Sequence, residues 1–398
     1  MQRLFCNFDG PIFRCRGNDD GGSHKPINWL KNIVAPTLAM GLLAIFSLQS
    51  TGAALTAGAR ITDRAEVGAS VRAVGNDSFS GLKVDFAGGV SAYPDVTYAS
   101  LAGFRTLKLD LFIPPASYSS QGARPLVVYV HGGGWAGGGP RRSAAYADWP
   151  KVLGSLAAEG YVVASVAYRF SGEAPFPAAI QDVKSALRWL RVNAAEYRID
   201  PERVAIWGQS AGGHLAALAG TSCGVKHLAP DPAAIAKPMS PDVEVVAGAG
   251  GDLNLVSDCV QAVVGWFGVY DFEAQLGADA KDSKDSAIPR RFLDCETITC
   301  SKDIMAAASP ITYVDPGDPH TLLIHGDADP LVHVSQTDKF YQLLIDAGVP
   351  VSKIIIPGVG HSWIGGSPAA TAAASRQALQ ATVDFFEATI GKGKFDQR

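Results

Sequence analysis

Short, nearly continuous apolar runs alternate with amphipathic stretches over most of the chain. PLVVYV (125–130), YVVASVAY (161–168), RVAIW (203–207), AVVGWFG (262–268), TLLIH (321–325) and KIIIP (353–357) are rich in β-branched residues. Runs of this kind predict strands covered on both faces, as a parallel sheet requires. TLKLDLFIP (106–114) alternates apolar and polar positions instead, which predicts a half-exposed strand. Between the runs, Ile180, Val183, Leu187 and Leu190 recur at helical spacing. Further helices are expected over 142–159, 211–220, 335–347 and 369–391. Strand and helix in alternation predict a doubly wound, mostly parallel α/β sheet. Ligands of such sheets bind beyond the carboxyl ends of the strands, so the loops that follow strands carry the chemistry.

The pattern fails in three places. Arg60–Tyr98 shows no clear periodicity and is expected to wrap the outside of the domain. The segments 221–260, rich in Pro, Gly and Asp, and 272–309, which is charged, interrupt the alternation. Both are expected to be walls or lids of a pocket, with plain surface loops as the alternative.

The N-terminus has a different composition. Arg3, Arg14, Arg16, Lys25 and Lys31 outnumber the acids of residues 1–32, Ile33–Leu48 is apolar, and small residues follow through Ala59. This is the layout of a secretory leader, with cleavage expected between Ala53 and Ala59. As a membrane anchor the apolar run, with Pro36 inside it, falls short of the ~20 residues needed to span hydrocarbon. The expected division is therefore a leader at 1–59 and one catalytic domain at 60–398. The expected location is secreted or periplasmic, with no membrane association after cleavage.

Cysteine usage agrees with export. Of 6 cysteines, Cys6 and Cys15 precede the apolar run, leaving Cys223, Cys259, Cys295 and Cys300. An even set fits an oxidising compartment and allows three pairings. The short spacing favours Cys295–Cys300 as a local clip, which leaves Cys223–Cys259; four separate buried thiols are the alternative. No histidine or acid spacing points to zinc, and neither a metal nor an organic cofactor is expected. With a net charge of -4 and no Lys/Arg run, nothing provides a surface for nucleic acid. The hydrophobic share of 47% against 18% charged residues indicates a well-cored globular protein. A small neutral or weakly charged molecule is the expected partner.

GQSAG (208–212) lies between the strand RVAIW and the helix candidate HLAALAG. A G-x-S-x-G in this setting is a nucleophile elbow, whose strained serine requires small residues two positions to either side. The alternative role for Ser210 is a helix N-cap. A serine needs a base and a group to orient that base. HGDADPLVH (325–333) and PGVGHSW (357–363) each follow a strand and offer Asp327 or Asp329 as the acid and His361 as the base. Asp327 is equally suited to bracing its own turn. His214, His320, His325 and His333 have plausible structural roles. HGGGWAGGG (131–139) follows PLVVYV. Its glycines let backbone amides approach a ligand, so Gly133 and Gly134, with the amide of Ala211, are the expected donors to a developing oxyanion. His131 is expected to hold the loop. The run lacks the spacing and lysine of a phosphate loop. Trp135, Trp266, Phe267 and Tyr270 are candidates to line an acyl or aryl pocket, or equally to pack in the core.

With HGGGW, GQSAGG, HGDADPL and GHSW in this order, the chain resembles the α/β-hydrolase esterases of the hormone-sensitive-lipase-like group. It is most similar to the branch containing bacterial feruloyl and acetyl-xylan esterases. The resemblance runs from about Leu107 to Ile390 and includes APFPAAIQDVKSALRWLRVNAAEYRIDPERVAIWGQSAGGHLAAL (174–218). It implies Ser210 as nucleophile, His361 as base and, from the H-G-x-x-D-P loop, Asp329 as acid. Two departures bear on subfamily and substrate: Gln209 stands where many relatives carry Asp or Glu, and 221–260 has no counterpart. The expected activity is hydrolysis of small or plant-cell-wall-type carboxylic esters, free or polysaccharide-linked. An amidase, arylformamidase or peptidase on the same residues, and a non-catalytic binding protein, are the alternatives. Peptidase relatives commonly carry tyrosine where this chain has Ala211.

Overall fold

The computed structural model describes residues 83–115, 117, 122–236, 256–277, 287–297 and 299–391, together with two short strands near the N-terminus. Those two, Phe5–Asp9 (β1) and Ile12–Arg16 (β2), form an antiparallel hairpin within residues 1–70. The expected cleavage region of the leader lies outside the described residues.

The second unit, residues 71–398, is built on a nine-stranded sheet. Its strands are Val84–Asp85 (β3), Ser91–Ala99 (β4), Leu107–Ile113 (β5), Arg124–Val130 (β6), Val162–Val166 (β7), Ile199–Gln209 (β8), Ala262–Trp266 (β9), His320–Gly326 (β10) and Val351–Ile356 (β11). Their order across the sheet is β11-β10-β9-β8-β6-β7-β5-β4-β3. The six from β11 to β7 are mutually parallel, while β5, β4 and β3 run antiparallel to their neighbours. β6, β7 and β9 are buried at every position, which is why their sequences are apolar without alternation.

Helices cover both faces. Trp149–Ala158 (α1) and Pro368–Thr389 (α9) pack with Val127, Tyr129, Ala205 and Ile324 in one core layer. Ala178–Val192 (α2) and Ala211–Thr221 (α4) pack with Leu126, Val128, Val130 and Ile206 in the other. Between α2 and α4 lies the short helix Ala194–Tyr197 (α3). Each fully buried aliphatic side chain in these layers contributes roughly 1.5–3 kcal/mol. Phe272–Leu276 (α5), Ala287–Phe292 (α6) and Lys302–Ala308 (α7) lie between β9 and β10, and Ser335–Asp346 (α8) follows β10. This is the α/β-hydrolase fold, in one domain.

Two expectations change. Ser91–Ala99 does not wrap the outside; it enters the sheet as β4. Pro94 and Asp95, the latter at φ 59°, form a bulge between Tyr93 and Val96 that erases the alternation. α1 begins at Trp149 rather than near 142. Asp148 caps it by accepting from the Lys151 amide, and Pro150 suits the first turn but not a helix interior.

The cysteines join as Cys223–Cys259 and Cys295–Cys300, with Cα separations of 4.8 and 5.2 Å. The first bridge ties the end of α4 to the approach to β9. No helix among the described residues is long and apolar enough to cross a membrane.

Candidate active site

Ser210 sits between the end of β8 and the start of α4 at φ 52°, ψ -122°, a conformation that costs of order 1–3 kcal/mol outside glycine. The surroundings leave it no other. Its amide donates to the Trp266 carbonyl at 2.9 Å, and its own carbonyl accepts from the His214 amide at 2.9 Å. A Cβ at Gly208 would lie 2.1 Å from the Gly212 carbonyl oxygen, and one at Gly212 would lie 2.1 Å from that of Val130. Gly208 therefore lets the turn close on the start of α4, and Gly212 lets it pack directly against β6.

The loop after β10 brings Asp329 to the same edge. Its Oδ1 accepts from the amides of Leu331 and Val332 at 2.9 and 3.0 Å, a turn closed by the carboxylate itself. Its Oδ2 accepts from His361 Nδ1 at 2.7 Å, and the Ser210 hydroxyl donates to His361 Nε2 at 2.9 Å. Burial alone would push the Asp329 carboxyl up. Hydrogen bonds from His325 and His361, the His361 charge and the Val332 amide outweigh burial and hold it well below the usual carboxylate range. Asp327 has a different partner: its Oδ1 accepts from the Gly358 amide at 2.7 Å and braces the loop that carries His361. Phe267 packs edge-on to the His361 ring at 4.7 Å.

The glycine-rich loop follows β6. His131 is buried, stacks on Tyr168 at 4.5 Å and donates from Nδ1 to the Gly132 carbonyl at 2.7 Å. Burial lowers it to about 4, so the ring is neutral at physiological pH. Trp135 stacks on Phe292 at 4.6 Å and donates from its indole to His214 Nδ1 at 3.0 Å; His214 Nε2 in turn donates to the Ala308 carbonyl at 2.7 Å. His214 thereby pins the glycine loop to α4 and to the end of α7. Burial lowers it to about 4 as well.

Gly133, Gly134, Trp135, Ser210 and His361 meet at one cavity of about 300 Å³. Its other walls come from Gly132, Gln209, Val269, Gln275, Ile288, Pro289, Leu331, Val332 and Ser362. Ala211 is the first residue of α4, where helix amides have no intrahelical acceptor. Gln275, Ile288 and Pro289 belong to 272–309, and Gln275 Nε2 donates to the Leu331 carbonyl at 3.0 Å, joining two walls. The described part of 221–260 supplies no lining residue; Ile235 bridges to Ala99 on β4 instead.

Trp266 requires correction as a pocket residue. It is fully buried in the core layer of α1 and α9, with its indole donating to Thr382 Oγ1 at 3.0 Å and its ring against Trp207 and Trp363 at 4.8 and 5.3 Å. Tyr270 is likewise buried, against Phe340 at 4.7 Å. Sequence reasoning passed over Ile288, Leu331 and Val332. Leu331 and Val332 adjoin Asp329 and were within reach of the HGDADPL motif, whereas nothing in the sequence marks Ile288.

A family model named BD-FAE matches residues 109–344, more than half of the chain. The chain belongs to the BD-FAE family. Among curated relatives, the BD-FAE chain is 31% identical over 301 residues to esterase LipQ of Mycobacterium tuberculosis, covering 75% of this chain and 62% of LipQ. It spans roughly half to three fifths of the curated relatives LipQ and LipC, 62% and 53% respectively. A carbohydrate esterase from gut microbiota, solved in truncated form, is 30% identical with a TM-score of 0.58, the match covering 77% of this chain and 99% of that one. An esterase from Thermogutta terrifontis, 23% identical with a TM-score of 0.54 over 74% of this chain and 92% of that one, shares the fold.

Proposed function

We propose that this protein is a serine carboxylesterase. The observation that carries the reading is the series of hydrogen bonds from the Ser210 hydroxyl through the His361 imidazole to Asp329, at the floor of a cavity edged by bare glycine amides. His361 Nε2 takes the hydroxyl proton as Ser210 Oγ attacks the ester carbonyl, and Asp329 holds the Nδ1–H tautomer and balances the imidazolium. The amides of Gly133, Gly134 and Ala211 receive the negative charge that develops on the carbonyl oxygen, each donor lowering the barrier by about 3–4 kcal/mol. The same imidazolium protonates the departing alcohol. Water then repeats the cycle on the acyl-enzyme.

The cavity is at the small end of ligand sites and mostly apolar, which favours short acyl groups. Membership of an esterase family, and similarity to a carbohydrate esterase, support an alcohol portion that is a sugar or polysaccharide. Two disulfides support work in a secreted or periplasmic setting. Turnover of p-nitrophenyl acetate, acetylated xylan and a formyl-anilide by the wild type and by Ser210→Ala tests the reading. The esters should be hydrolysed by the wild type, with the rate falling at least a thousandfold in the variant. Formyl-anilide turnover exceeding that of every ester would replace esterase by amidase.

A further inference from the structure

One buried imidazole lies against the Ser210–His361–Asp329 series without taking part in it. His325, on β10, is fully buried and lies four residues before Asp329. Its Nε2 is 2.8 Å from the Val332 carbonyl and 3.3 Å from Asp329 Oδ2, and its Nδ1 is 2.7 Å from Thr337 Oγ1 on α8. Both neighbours of Nε2 are acceptors, so this nitrogen carries a hydrogen, while Thr337 Oγ1 holds Nδ1 from the other side of the ring. Val332 is held from both ends, since its amide donates to Asp329 Oδ1 while its carbonyl accepts from His325.

Asp329 Oδ2 thus accepts from His361 on the cavity side and lies 3.3 Å from His325 Nε2 on the core side, whose N–H points to the adjacent Val332 carbonyl and places its positive end beside the carboxylate. Among the described residues, these two are the titratable groups that face the carboxylate. Asp327 is turned to the Gly358 amide, His333 to Ser335, and the neighbours from the other elements, Phe267 and Thr337, carry no charge. A carboxylate that spends part of its charge on a second donor holds an imidazolium less tightly.

Resting on the esterase reading, we infer that His325 is a positioning residue for the Ser210–His361–Asp329 series. It is an N–H donor, held by Thr337, that fixes the Asp329 turn and moderates the hold of Asp329 Oδ2 on His361. Removing the donor concentrates the carboxylate charge on His361, which then keeps its proton to higher pH. The acid limb of kcat/KM should move up with it.

The test is the pH profile of kcat/KM for p-nitrophenyl acetate on the full-length protein. His325→Phe keeps a ring but has no N–H; its acid limb is expected about 0.5–1 pH unit higher than the wild type. His325→Gln restores an N–H near the same place and should bring the limb back. Thr337→Val removes the lock while keeping the shape, and should move the limb the same way by less. If His325→Phe does not fold, Thr337→Val decides. A role in packing alone would lower thermal stability and leave all three limbs where the wild type has them, and that result overturns the inference. Equal shifts in the Phe and Gln variants would also overturn it. A wild type with no ester turnover would instead remove the esterase reading, so the two failures are distinguishable.

Discussion

Buried neutral histidines make this fold sensitive to mild acid, and His214 allows the effect to be measured in isolation. In the unfolded chain an imidazole takes up a proton below about pH 6.5, whereas burial holds His214 neutral in the folded protein down to about 4. A folded value below the unfolded one means stability that is full above about 6.5 and is lost as pH falls toward 4. At pH 5 the unfolded ring is almost wholly protonated and the folded ring is not, which costs about 2 kcal/mol relative to pH 7.5. His131, also lowered to about 4, adds a similar amount. Asp318 acts in the opposite sense: burial, the largest cause, and the Asp315 charge raise it to about 7, so the folded form gains a proton on acidification. The difference between wild type and His214→Gln cancels both of these. Gln can accept from Trp135 and donate to the Ala308 carbonyl but does not titrate. Urea denaturation followed by tryptophan fluorescence at pH 7.5 and pH 5 should therefore show a loss about 2 kcal/mol smaller in His214→Gln than in the wild type. An identical loss in both proteins would refute the assignment of His214 as a buried neutral pin.

Two further substitutions probe the cavity. Ile288→Ala removes the side chain that faces the glycine loop, where a Cβ on Gly134 would lie 2.8 Å from Ile288 Cγ2. In a series of p-nitrophenyl esters the variant should accept longer acyl chains, gaining roughly fourfold in kcat/KM over the wild type per methylene newly accommodated, from about 0.8 kcal/mol each. Gly133 has φ 125°, and an added Cβ would lie 2.3 Å from the Gly137 carbonyl oxygen. Gly133→Ala must displace the loop, and kcat should drop at least a hundredfold with little change in KM.

The strands that position the site were legible because burial on both faces demands unbroken apolar runs, and β6, β8, β10 and β11 each end where a motif begins. The same burial conceals orientation. AVVGWFG is apolar throughout, so nothing in it tells that Trp266 enters the core while Phe267, one residue on, packs against His361. β4 was hidden by a bulge, because Pro94 and Asp95 break the two-residue period on which strand recognition depends. Ile288 was hidden for a different reason: it reaches the cavity from α6, far in sequence from every motif, and only the packing of α6 against the glycine loop brings it there. His325 was visible as the first residue of HGDADPLVH, but its bond to Thr337 depends on how α8 packs against β10.

The account depends on Ser210 being a nucleophile activated by its two partners rather than a residue that only caps α4. Intact-mass and peptide analysis after treatment with a fluorophosphonate tests this directly. One adduct per chain, on the peptide containing Ser210, lost in Ser210→Ala and slowed at least a hundredfold in His361→Ala, is the predicted result. A folded wild-type protein that takes up no adduct, or takes it up at a residue other than Ser210, would contradict it.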